Sequence, residues 1–180
     1  MIGAMIPEGE IHGSGLEDAN DIKDLASEAR AYLESHKWCH RVEHLYFERG
    51  FRYLSVFLAH IDPLQEAGPE QWVVVGDLPP AYLDKRDCAN GAQALCAYVW
   101  CRQEWLTAYR SSRDLSKLMP VEFRRSGRLL EPSEETADLL ERRIRLILRM
   151  LRLDWFDDIG DWGEDLEELF GPDWGINLSA

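Results

Sequence analysis

Apolar residues recur along this chain with several distinct periods, and each period predicts an element. Ile22, Leu25, Ala26, Ala29, Tyr32 and Leu33 fall three and four apart, which places them on one stripe of a helix near residues 17–35. Glu17, Asp18 and Asp21 lie in or near its first turn, where the helix dipole favours acids. The pattern then changes. Val42–Phe47 and Phe51–Ile61 are rich in aromatic and β-branched residues and read as two strands, linked by Glu48-Arg49-Gly50. In the second strand Phe51, Tyr53, Ser55, Phe57, Ala59 and Ile61 alternate onto one face, and Asp62-Pro63 stops it. Trp72-Val73-Val74-Val75 is a compact apolar run, predicted as a buried strand that completes a three-stranded antiparallel meander.

Pro79 and Pro80 cannot donate ladder hydrogen bonds, so the strand ends before them. A second helix is predicted near 89–110, with Ala92, Leu95, Cys96, Val99 and Leu106 on one stripe. Residues 111–132 are polar and basic and read as a long connection, with room for a short element around Leu118–Phe123. Ser133, followed by Glu134 and Glu135, is a good N-cap for a third helix that runs to about Leu153. The fold class expected is α+β: an N-terminal helix, a three-stranded antiparallel meander, two further helices and an acidic C-terminal arm. Residues 1–15 hold four glycines and a proline and read as a flexible leader, 16–153 as a single domain, and 154–180 as the arm.

Charge changes the picture at the carboxyl end. The 180 residues carry a net −13, and from Asp154 onward there are nine acids and no Lys or Arg, leaving −4 on the residues before. Interleaved with these acids are Trp155, Phe156, Ile159, Trp162, Leu166, Leu169, Phe170 and Trp174. A segment this aromatic is expected to pack on its own domain or to dock on a partner. The acidic surface repels nucleic-acid phosphates and attracts basic proteins. Arg142, Arg145, Arg149 and Arg152 form a basic stripe on the third helix, read as pairing with the acidic segment that follows. The longest apolar run, Ala94–Cys101, has eight residues, too few to span a bilayer. The first Lys or Arg is Lys23, and Glu8 and Glu10 interrupt the start, so a secretory signal is not expected and the setting reads as cytoplasmic. Cys39, Cys88, Cys96 and Cys101 form no Cys-x-x-Cys pair and read as thiols.

Catalytic and metal chemistry finds little purchase. His36, His40 and His44 lie four apart with Cys39 beside them, but 42–47 reads as a strand, and no metal or other cofactor is expected. Asp77 follows a buried strand, and Tyr82 and His44 would complete an acid–base set for a small hydrolase or transferase. The competing reading makes Asp77 a turn residue and Tyr82 a packing residue. No nucleophile elbow, zinc-protease helix, phosphate loop or dinucleotide fingerprint is present in the sequence.

Trp72-Val73-Val74-Val75-Gly76-Asp77-Leu78-Pro79-Pro80-Ala81-Tyr82-Leu83 resembles a loose family of small bacterial proteins of unknown function. They share an apolar strand, then Gly-Asp-Leu-Pro and a nearby Tyr, then an amphipathic helix; the resemblance spans roughly 38–110. It implies a small α+β bacterial domain and carries over no catalytic residue. Small acidic bacterial proteins include toxin-neutralising immunity proteins, an analogy at the level of fold and charge. The function expected is therefore a non-enzymatic inhibitory protein that binds a basic target through Trp155, Asp157, Asp158, Asp161, Trp162, Glu164, Asp165 and Trp174. The alternatives are the small enzyme using Asp77, Tyr82 and His44, and a structural subunit of a larger assembly, with a homodimer through exposed aromatics left open.

Overall fold

The first helix, α1 (Ala19–Glu34), forms where the spacing predicts it and buries Ile22, Leu25, Ala26, Ala29 and Leu33. The structure is a computed structural model that describes residues 5–64, 67–125 and 128–171. The chain divides into two compact units, residues 1–94 and 95–180. The division falls inside the second helix.

The first unit is an antiparallel sheet with α1 on one face. The sheet has five strands rather than three, ordered as in the chain: β1 (Ile6–Pro7), β2 (Cys39–Phe51), β3 (Leu54–Pro63), β4 (Glu70–Gly76) and β5 (Ala81–Asp84). The three predicted strands are its centre, β2 to β4. Val42, Leu45 and Phe47 of β2, Phe57, Ala59 and Ile61 of β3, and Val73 and Val75 of β4 form one core with the buried stripe of α1. The expected alternation holds for Phe57, Ala59 and Ile61, whereas Phe51 ends β2 and Tyr53 lies in the turn.

Two expectations are corrected here, and one strand that the pattern missed is added. From residue 5 the leader is built into the fold: β1 pairs with Phe47 and Tyr46, and a 3-10 helix over Glu8–Gly13 buries Ile11 completely. A single large apolar side chain fixes a segment whose glycines suggest freedom. The β2–β3 turn is Arg52-Tyr53, not Glu48-Arg49-Gly50. Gly50 serves close approach instead of turning: it has φ +130, and a Cβ there would overlap the backbone of Leu54 and Ser55. Gly76, at φ +133, meets the carbonyl of Tyr53 in the same way from the other side. Finally, β5 follows Pro80 directly and pairs Ala81 with Val74 and Tyr82 with Val73.

The opposite sheet face, carrying Val56, Leu58, Trp72 and Val74, is buried as well. Within the first unit the segment after β5 contributes to that cover, because the Trp72 indole N–H donates to the Cys88 carbonyl at 2.9 Å. The second helix, α2 (Gly91–Arg110), starts there, with the Asn90 side chain accepting from the Gln93 amide at 2.9 Å.

The second unit holds the rest of α2, a hairpin of β6 (Phe123–Arg125) and β7 (Arg128–Leu130), and three helices: α3 (Glu134–Asp154), α4 (Phe156–Ile159) and α5 (Trp162–Phe170). The hairpin lies inside the stretch expected to be a connection. Ser133 caps α3 as predicted, accepting from the Thr136 amide at 3.2 Å while the Thr136 hydroxyl accepts from the Ser133 amide at 2.8 Å. Arg110 at the end of α2 donates to Asp138 at 2.9 Å and Glu141 at 2.7 Å, tying it to α3. No described helix is long and apolar enough to cross a membrane.

Candidate functional site

The described part of the acidic segment, to residue 171, folds as two short helices. Ile159 of α4 and Leu166 of α5 are buried and anchor it. Trp155 and Trp162 are half-buried, and Phe156 is 55% exposed. Around these rings Asp157, Asp161, Glu164 and Asp165 face solvent, as do Glu167 and Glu168, while Asp158 is half-buried. Asp157 and Asp158 lie in the first turn of α4, and Glu164 and Asp165 in that of α5, where the peptide dipoles offset some of their mutual repulsion. Trp174 lies outside the described residues. Seven of the eight expected contact residues therefore stand together on one short stretch, with Phe156 as a ring they left out.

The expected pairing of these acids with the arginine stripe of α3 is not made by Arg142 or Arg149 among the described residues. Arg145 pairs within its own helix, with Glu141 at 2.7 Å. Asp157, Asp161, Glu164 and Asp165 make no ion pair among the described residues, and neither do Arg142 and Arg149. Glu141 holds both Arg110 and Arg145, and hydrogen bonds from Arg145 and then Arg110 lower its pKa below the ordinary value.

The acid–base set does not assemble. Gly76, next to Asp77, pairs with Leu54, whereas His44 pairs with His60, six residues further along β3. At about 3.3 Å per residue this separates Asp77 from His44 by roughly 20 Å along the sheet. Tyr82 packs against the core shared with α1, beside Trp38 (4.6 Å between ring centroids) and His36 (5.1 Å). Asp77 serves the turn through its amide, which donates to the Tyr53 carbonyl at 2.9 Å. The histidines also part company. His36 Nδ1 lies 2.8 Å from the Tyr32 carbonyl at the end of α1, His40 is exposed on β2, and His44 faces the His60 ring at 6.2 Å. No group of three His, Cys, Asp or Glu among the described residues is placed to hold a metal ion.

One buried charged pair escaped the sequence reading. Glu48 and Arg49 occupy an irregularity in β2, where the Arg49 guanidinium donates twice to the Glu48 carboxylate, at 2.5 and 2.7 Å. Their side chains are 1% and 9% exposed. Adjacent residues of a regular strand point to opposite faces, so only the register shift between Phe47 and Arg49 lets them meet. The only signal in the sequence was a Glu-Arg pair between two apolar runs, which reads equally well as a turn.

Comparison with protein-family models, curated proteins and solved structures finds no match to this chain. The resemblance at residues 72–83 accordingly rests on its own residues. What the geometry offers there is structural: Gly76 is needed where β4 passes Tyr53, and Pro79-Pro80 lead straight into the edge strand that carries Tyr82.

Proposed function

We propose that this chain is a non-enzymatic binding protein that captures a basic protein target on the acidic, ring-bearing surface of α4 and α5, in its most concrete form as a bacterial immunity protein that neutralises a toxin. The observation that carries this reading is the set of exposed carboxylates Asp157, Asp161, Glu164 and Asp165, which make no ion pair among the described residues. Crowding like charges without partners costs stability, and a basic target would repay that cost on docking. Phe156, with Trp155 and Trp162 beside it, supplies rigid apolar area of the kind that dominates binding energy once charges have steered the encounter. In this reading the target is a protein of opposite charge, the setting is the cytoplasm, and the residues committed to contact are Trp155, Asp157, Asp158, Asp161, Trp162, Glu164 and Asp165, joined by Trp174.

Growth rescue tests it. Co-expressed with a toxic product encoded beside its own gene, the wild-type chain is expected to restore growth, and a chain with Asp157, Asp161, Glu164 and Asp165 all changed to Lys is expected to fail. Rescue by the reversed chain, or the absence of any toxic neighbour, would overturn the reading.

A further inference from the structure

The long helix α3 has a second exposed face that the acidic surface does not use. Leu139, Leu146 and Leu153 are 40%, 43% and 56% exposed, and they stand seven residues apart. Arg142 and Arg149 follow the first two leucines by three residues each, are exposed, and make no ion pair among the described residues. Seven-residue spacing on a straight helix drifts by only about 20° per heptad, so the three leucines form a nearly straight seam bordered by two guanidinium groups. The buried face of the same helix is already complete with Leu140, Ile144, Ile147, Leu148 and Leu151, so this seam is surplus to the unit's own core.

We infer that this seam docks an acidic amphipathic helix of a partner protein, whose apolar residues meet Leu139, Leu146 and Leu153 and whose carboxylates meet Arg142 and Arg149. The leucines fill one of the two positions per heptad that helix-to-helix packing uses, and Arg142 and Arg149 stand at the other. Charge selects the occupant. A second copy of α3 in parallel would set Arg142 on Arg142 and Arg149 on Arg149, and in antiparallel would gather all four guanidinium groups in one seam. An anionic membrane or a nucleic acid spreads its charge well beyond the seam and would meet the exposed Glu134, Glu135 and Asp138 at one end and Asp157 beyond the other. An acidic helix needs only the narrow basic border. The surface differs from that of α4 and α5, and the inference stands apart from the function proposed above.

The test is fluorescence anisotropy with the full chain at physiological salt. The probe is a labelled 21-residue helical peptide, about three heptads long to match the seam, with Leu at the a and d positions and Glu at e and g. Saturable binding is expected, weakened about tenfold or more by Leu146→Glu and severalfold by Arg149→Glu, with Arg149→Lys largely restoring it. A matched peptide with Lys at e and g is expected to bind at least about tenfold more weakly. Unchanged thermal melting of the variants shows that they fold, as half-exposed positions should allow. Equal binding of the two peptides, or no effect of Leu146→Glu, overturns the inference. So does a dimer in light scattering that Leu146→Glu dissociates, anionic-vesicle binding that the same change abolishes, or a tenfold gain in peptide affinity on removing residues 172–180. Those results would assign the seam to a second copy, a lipid surface or the chain's own end.

Discussion

Glu48 and Arg49 show how much a pair of neighbouring residues can decide. Each would be costly to bury alone, and the register shift in β2 lets them satisfy one another in a site almost closed to water. Arg49→Leu leaves the Glu48 carboxylate buried without its guanidinium, so it is expected to destabilise the chain by about 3–5 kcal/mol. Replacing both residues by apolar ones should cost less than replacing either alone. Urea unfolding midpoints of the two single variants and the double variant check this. Glu141 makes a gentler case on the surface. Arg145 and Arg110 lower its folded pKa from an ordinary value of 4.5, so its contribution is complete above that value and is lost as pH falls through the lower folded value. Thermal melts of wild type and Glu141→Gln are therefore expected to differ at pH 7 and to converge in acid below the carboxylate range; a constant difference would show that the ion pairs contribute nothing.

The elements were legible in proportion to how strongly a period or a cap marks them. The helix stripes of α1 and α3 and the apolar runs of β2, β3 and β4 are long enough for the pattern to dominate, and Ser133 starts α3 by a local hydrogen bond that needs no tertiary context. Ser133→Ala is expected to cost about 1 kcal/mol and Ser133→Asp to recover most of it, measured by thermal unfolding. What the pattern hid was short. β1 and β5 have two and four residues, and each exists because a long neighbouring strand offers it an edge. β6 and β7 have three residues apiece. The two-residue turn at Arg52-Tyr53 was hidden for another reason: Gly50 advertises a turn, but the molecule spends it on close backbone contact inside the strand.

At the scale of the whole molecule, charge is sorted rather than spread. The acids crowd the carboxyl end, while the arginines of α3 lie just before them on the chain. The aromatic and acidic composition of the candidate surface was readable residue by residue, because composition survives without geometry. Whether those acids would be consumed by Arg142 and Arg149 was not readable, since it depends on the directions in which α3, α4 and α5 project their side chains. The unused Asp77–Tyr82–His44 set failed for the same reason in reverse: residues that suit one another chemically were separated by strand register.

The most direct test is a calorimetric titration of the protein against the basic partner found by growth rescue, run at about 50 and 500 mM salt, where the screening length changes severalfold. The account predicts that affinity falls steeply with salt for the wild type, and that changing Asp157, Asp161, Glu164 and Asp165 to Asn or Gln removes most of both the affinity and its salt dependence. Binding that keeps its strength and its salt dependence after all four charges are gone would contradict it.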